Sequence, residues 1–401
     1  MNLRRFPLLI GLSAAAVALL LVGLGLLPPA PSTARTVRPV PAAAAVVPLL
    51  PAPTGRHPVG RADLGLTDRQ RTDPFTRRGP RELAISVWYP ARDTAGRPRA
   101  PWMPPAVARG FASNAARILG LPTGLVDWSA VRTHAAVDAP PATSARHRPV
   151  VLYSPGLGTS RSWGTVLVEE LASSGYVVVT LDHTYEALGV DLGHGKIAKA
   201  VTAGSGTDEE LARRMRVRTA DTAFVLDALA RPSTRRALPA GLGAQLDLDR
   251  IGMFGHSAGG ITAAETMARD PRLDAGLDLD GFNVTPARRS WPELDRLVRD
   301  GLDRPFQMVG STAAPAGELP ARLSAGSPAS VSVRRLAGTA HYSFSDFQAL
   351  LPQLRDRADL SGSRTARLIG TAAPQAVVHR EREIVTGFFD RHLLRPGRTG
   401  G

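Results

Sequence analysis

Short apolar runs that end in turn residues recur through this chain, with stretches of helical periodicity between them. The clearest are Pro149–Gly156 (PVVLYSPG), Tyr176–His183 (YVVVTLDH) and Arg250–His256 (RIGMFGH). They are apolar at consecutive positions rather than alternate ones, so strands of this composition must be covered on both faces. The helical stretches are Ser162–Gly175, Asp208–Ala230 and the segment SAGGITAAETMAR that follows His256. Glu82–Pro90 reads as an earlier strand, and a short helical piece is expected around Phe111–Leu119. Runs at Ala275–Gly281, Pro305–Ser311 and Val331–Gly338 continue the alternation, and a helix over Val377–Leu394 closes it. The pattern predicts an α/β fold, a mostly parallel central sheet with helices on both faces. In such sheets the site lies beyond the carboxyl ends of the strands. At 401 residues and 43% hydrophobic content, the chain can bury one large core or two smaller ones.

The alternation begins only downstream of Val59. Arg4 and Arg5 precede an uncharged stretch from Phe6 to Ala34, and Leu8–Leu27 is almost entirely Leu, Ala, Val and Gly. A basic start, an apolar centre and small residues near Ala34 are the parts of a signal peptide. The apolar centre is also long enough to span a bilayer. Residues 1–27 are therefore expected to be a signal peptide or an N-terminal membrane anchor. Either would place the rest of the chain outside the cytoplasm. Residues 28–58 carry nine prolines and many alanines, the composition of an extended linker. The catalytic domain is then expected over 59–401.

The net charge is +14, and only Lys196 and Lys199 among the basic residues are lysines. No basic run is interleaved with aromatics, so the charge does not point to nucleic acid. A membrane surface is the remaining candidate partner for it. No cysteine is present, which excludes disulfides, thiolate catalysis and Cys-bound zinc. Nothing in the sequence sets an oligomeric state.

Gly-His-Ser-Ala-Gly (residues 255–259) falls where a buried strand passes into a helix. A sharp turn there would raise the Ser257 hydroxyl above the sheet, with Gly255 and Gly259 avoiding collisions across the turn. The helix behind it would direct free N–H groups at the site. A serine hydroxyl needs a base and a group to orient that base. In chain order these should be serine, acid, histidine. The run LDLDG offers Asp278 and Asp280; Asp280 is nearer the rim and is preferred, with Asp278 the alternative. Of nine histidines, His341 in LAGTAHYSFSDF follows the last expected strand, where a loop could carry an imidazole onto Ser257. His256 adjoins the serine, and its side chain should point away from it. One oxyanion donor should be the N–H of Ala258. The second should come from the loop YSPGLGTS, with Leu157 N–H the choice. An imidazole base titrates near pH 6.5 unless its surroundings shift it, so activity should fall in acid.

At these residues the sequence resembles the α/β-hydrolases of the plasma-type platelet-activating-factor acetylhydrolase family, including bacterial lipase-like relatives. HPVGRADLGLTD with RELAISVWYPAR is similar to the family's amino-terminal strand pair. LYSPGLGTSRSW is similar to its oxyanion loop, GMFGHSAGG with LDLDG to its nucleophile and acid, and GTAHYSFSDF to its histidine loop. The resemblance implies the α/β-hydrolase fold, Ser257, Asp280 and His341 as the triad, and Leu157 with Ala258 as oxyanion donors. It implies hydrolysis of carboxylic esters, short or oxidised acyl chains of phospholipids above all, without calcium or any other cofactor or metal. The sequence departs from animal members at Pro155, where they carry a histidine, and this bears on acyl and head-group preference. A triglyceride lipase, a cutinase-like polyester hydrolase and an inactive scaffold acting as a surface binding module are the alternatives.

Overall fold

The computed structural model describes residues 45–144, 147–201, 207–284, 291–313, 315, 317–358 and 360–394. The expected signal or anchor segment, residues 1–27, lies outside them, as does the linker up to residue 44. Among the described residues no helix is long and apolar enough to cross a membrane.

Among the described residues twelve strands form in chain order. They are β1 (Val59–Thr72), β2 (Pro80–Pro90), β3 (Arg99–Pro101), β4 (Arg132–Val137), β5 (Arg148–Ser154) and β6 (Val177–Asp182), then β7 (Gly189–Asp191), β8 (Ile197–Lys199), β9 (Leu246–His256), β10 (Leu273–Leu279), β11 (Phe306–Ser311) and β12 (Val331–Leu336). Ten of them make one sheet in the order β12-β11-β10-β9-β5-β6-β2-β1-β4-β3, and β7 pairs with β8 apart from it. The six from β12 to β6 run parallel. β2 joins β6 and β1 in antiparallel pairs. β5 leads on to β6 on one side, while β9 leads to β10, β11 and β12 on the other. The strand order therefore reverses between β5 and β9, and sheets of this kind bind their ligands beyond the carboxyl ends at such a reversal, here at Ser154 and His256.

The main helices are α1 (Pro105–Leu119), α2 (Thr165–Ser173), α3 (Asp208–Ala230), α4 (Ala258–Met267), α5 (Pro292–Asp300), α6 (Glu318–Gly326), α7 (Gly362–Ile369) and α8 (Pro374–Leu393). In β5, Val150 and Leu152 join the layer containing Phe224 of α3 and Ile261 of α4. Val151 and Tyr153 face the opposite layer, with Leu167 of α2 and Phe389 of α8. Alternate side chains thus feed two cores, which is why these strands are apolar throughout. Helix α3 starts with Thr207, whose hydroxyl accepts the Glu210 amide at 3.2 Å, and its first turn carries Asp208, Glu209 and Glu210. Both features stabilise a helix amino terminus.

The linker expectation needs correction over its last part, since residues 45–58 pack on the domain. Val46 bridges Val126, Leu50 is buried beside Trp102 and Phe347, and the Thr54 amide donates to Glu170. Leu and Val between the prolines provide the contact surface, and an extended, proline-rich backbone can lie along a groove without unmet amides. The packed body therefore begins upstream of Val59. Residues 99–137 hold α1, β3 and β4, and Trp102, Phe111 and Trp128 pack there with Trp163 and Phe347.

Candidate active site

β9 and α4 meet at Ser257, which has φ 58° and ψ −125°. A non-glycine residue in this region costs about 1–3 kcal/mol and persists only where surrounding packing enforces it. The packing is tight: a Cβ on Gly259 would lie 1.9 Å from the Ser154 carbonyl oxygen, and one on Gly255 would lie 2.3 Å from the Gly259 carbonyl carbon. The strand-to-helix turn can close only with glycine at both places, and closing it aims the serine hydroxyl out of the sheet.

His341 Nε2 lies 3.1 Å from Ser257 Oγ, and its Nδ1 lies 2.8 Å from Asp280 Oδ2. The carboxylate can only accept, so Nδ1 carries the proton and the Nε2 lone pair faces the serine hydroxyl. Asp280 lies just beyond β10. Its other oxygen accepts the Ser311 amide at 2.6 Å and the Asn283 side-chain amide at 3.0 Å. Both carboxylate oxygens are thus occupied, and the acid cannot rotate away from the imidazole. The structure brings Ser257, Asp280 and His341 together at the strand-order reversal. Asp280 is fully buried, whereas His341 keeps 19% of its side chain exposed and can meet a substrate.

Asp278, the alternative acid, points elsewhere. It accepts the amides of Gly281 and Phe282, and burial pushes its carboxyl well above the ordinary aspartate range. It caps the helical turn Gly281–Val284 and does not reach His341.

Ala258 N–H is the first of α4 and has no intrahelical partner. The loop after β5 closes over the same point, since a Cβ on Gly156 would lie 3.4 Å from Ser257 Cβ. Leu157 follows directly. The two expected oxyanion donors are therefore carried by segments that flank the serine.

Three features of the site were not legible as functional from the sequence. His256 donates through Nε2 to the His341 carbonyl at 2.9 Å, and the two rings lie 4.6 Å apart. Burial, and then the neighbouring His341, lower its pKa well below that of a free imidazole, so it stays neutral. Asn283 and the Ser311 amide hold the acid. Asp346, five residues beyond His341, accepts the Trp102 indole N–H at 2.7 Å and the Val166 amide at 2.9 Å. Its place at the start of α2 anchors the histidine loop, and burial raises its carboxyl to about 7. Among the described residues no group of three or more His, Asp or Glu could hold a metal ion.

Residues 43–190 match the model of the family "Platelet-activating factor acetylhydrolase, isoform II". The chain is similar to a probable 1-alkyl-2-acetylglycerophosphocholine esterase of Arthroderma benhamiae, 31% identical over 58% of this chain and 59% of that protein. It is also similar to the platelet-activating factor acetylhydrolase of Cavia porcellus, 26% identical over 49% of each chain. The alignments thus span roughly half the length of these curated relatives. Among solved structures it is similar to a ferulic acid esterase from Streptomyces cinnamoneus. That likeness has 32% identity and a TM-score of 0.69, and covers 88% of this chain and 95% of that one. The sheet order, the strained serine turn and these likenesses agree: the chain belongs to the α/β-hydrolase family of plasma-type platelet-activating-factor acetylhydrolase and its bacterial lipase-like relatives.

Proposed function

We propose that this protein is a serine esterase acting on carboxylic esters, with short or oxidised acyl chains of phospholipids as its substrate class. The observation that carries the reading is the continuous line from Asp280 through His341 to Ser257 Oγ, ending on a strained turn. His341 Nε2 takes the hydroxyl proton as Oγ attacks the ester carbonyl carbon. The carbonyl π pair moves to oxygen, where the Leu157 and Ala258 N–H groups receive it. Collapse breaks the bond to the alcohol, which leaves with the proton from His341. Water then repeats the sequence on the acyl-enzyme and releases the acid. Asp280 keeps the imidazole in the tautomer that can accept at Nε2 and stabilises the imidazolium. The basic, apolar amino-terminal sequence supports an extracytoplasmic location, with a membrane surface as the place of encounter.

The ferulic acid esterase likeness, which covers nearly all of both chains, favours a second reading in which the acyl group is an aromatic acid. Turnover should be measured on phosphatidylcholines of graded sn-2 acyl length and on methyl ferulate, with Ser257→Ala as control. The first reading expects the highest kcat/KM on the acetyl or butyryl phospholipid. Faster turnover of methyl ferulate would replace it with the second, and no Ser257-dependent turnover of any ester would end both.

A further inference from the structure

The loop that carries Leu157 is held from below by a buried ion pair. Arg218, on α3, is fully buried and donates to the Pro155 carbonyl at 2.7 Å and the Gly156 carbonyl at 2.9 Å. Its guanidinium pairs with Glu186, which accepts the Gly158 amide at 3.2 Å through Oε1. Burial pushes the Glu186 carboxyl up, but the Arg218 charge outweighs it and holds the group below its usual range. The Gly156 carbonyl also accepts the Thr159 amide at 3.1 Å and the Thr159 hydroxyl at 2.9 Å. Gly158 completes the turn with φ 73°.

The geometry points to Arg218 and Glu186 as positioning residues that aim the Leu157 N–H at the substrate oxyanion. The reason is the planarity of the peptide group. Gly156 C=O and Leu157 N–H belong to one trans peptide, so they point in opposite directions. Arg218 draws that carbonyl inward and Thr159 holds it from within the loop, so the N–H on the opposite edge of the plane faces away from Arg218, toward the side on which Ser257 lies. Without the clamp the plane could rotate about the Gly156 side, since glycine places little restriction on its dihedrals. A preorganised donor needs no reorganisation when charge develops, which is the source of its catalytic value. Arg218 touches neither substrate nor Ser257 and acts only through the peptide it holds.

This inference rests on the ester-hydrolase reading, and the test separates the two. Arg218→Met and Glu186→Gln are compared with wild type for kcat and KM on p-nitrophenyl acetate. Affinity is measured for a short-chain trifluoromethyl ketone, whose adduct with Ser257 carries an oxyanion, and for acetate, which makes none. The expected result is a kcat lower by about 10- to 1000-fold in Arg218→Met and about tenfold in Glu186→Gln. KM and acetate affinity should stay unchanged, and ketone affinity should fall in parallel with kcat. A role in packing alone would move stability without this split between ketone and acetate. If Arg218→Met gives no folded protein, Glu186→Gln, which keeps the shape of the side chain, decides. Folded variants with wild-type kcat and ketone affinity overturn the inference and leave the esterase reading intact. Wild-type protein without Ser257-dependent turnover overturns both.

Discussion

Among the described residues two hydrogen-bonded lines of serine, histidine and aspartate start from the ends of neighbouring strands, β5 and β9. In one, Ser257 meets His341 at 3.1 Å and His341 meets Asp280 at 2.8 Å. In the other, Ser154 at the end of β5 meets His183 Nε2 at 3.0 Å, and His183 Nδ1 meets Asp221 of α3 at 3.0 Å. The chemistry of the groups is the same, and so is their order in space. Their surroundings differ. Ser154, His183 and Asp221 are all buried, and Asp221 also accepts from Arg81. No ester could reach that serine. Ser257 sits on a strained turn beside a partly exposed imidazole, with a helix amino terminus behind it. Triad distances alone therefore do not identify a nucleophile; backbone strain, access and nearby N–H donors do.

The sharpest way to break this comparison is to remove each serine. Ser257→Ala should lower kcat on p-nitrophenyl acetate by about 10⁶-fold and abolish labelling by a fluorophosphonate. Ser154→Ala should still label at Ser257, as peptide mapping of the adduct would report. Label found on Ser154 in the native fold would make the buried line reactive and erase the distinction. The acids should separate next. Asp280→Asn is expected to cost about 10⁴-fold in kcat with little change in melting temperature, because the histidine loses the partner that sets its tautomer. Asp221→Asn should act on stability instead. It leaves the buried Arg81 with less counter-charge, a loss of about 3–5 kcal/mol in urea unfolding. Equal effects of the two variants on both readouts would contradict the assignment.

The same contrast explains what could be read from the sequence. The sheet was legible because strands covered on both faces cannot hide their composition: Val150–Tyr153 in β5, Val177–Val179 in β6 and Ile251–Phe254 in β9 carry no charged or strongly polar residue. β1 has no continuous apolar run, so its strand was suggested by the family resemblance rather than by its composition, and it pairs with β2. Ser257 was marked by local chemistry, since Gly255 and Gly259 have no other use so close together. Asp280 stood out against Asp278 by one criterion, its place at the rim, and the side-chain geometry follows that order. The buried pair of Arg218 and Glu186 left no signal. Arg218 is one arginine among several on an amphipathic helix, and its ligands are carbonyls that any sequence would supply. Residues 45–58 misled because proline suggests an extended chain but does not say whether it lies free or against a surface.

His256 tests whether the rim line depends on its neighbours, as the buried line depends on Arg81. Its Nε2–H fixes the carbonyl of His341, the proposed base. His256→Phe keeps an aromatic ring against His341 and removes the donor. The expected effect is a kcat lower by about tenfold with KM unchanged, equivalent to about 1.4 kcal/mol in the transition state. An unchanged kcat in folded protein would show that the loop, through Asp346 and α2, positions His341 without help.

The smallest effect concerns protons. His183 is held below the usual imidazole pKa, by burial first and then by the Arg218 charge, although Asp221 opposes the shift. In the unfolded chain it would take up a proton near pH 6.5. The native state then binds fewer protons than the unfolded state below that pH. Its contribution to stability is complete above pH 6.5 and is lost as the pH falls. His183→Gln removes this term, so stability should fall less steeply between pH 6.5 and 5 than in wild type, by at most about 1.4 kcal/mol per pH unit. Urea unfolding at closely spaced pH values measures the slope. Parallel slopes in variant and wild type would mean that His183 protonates in the folded protein, with Asp221 dominating over burial. The buried line would then carry a charged imidazole.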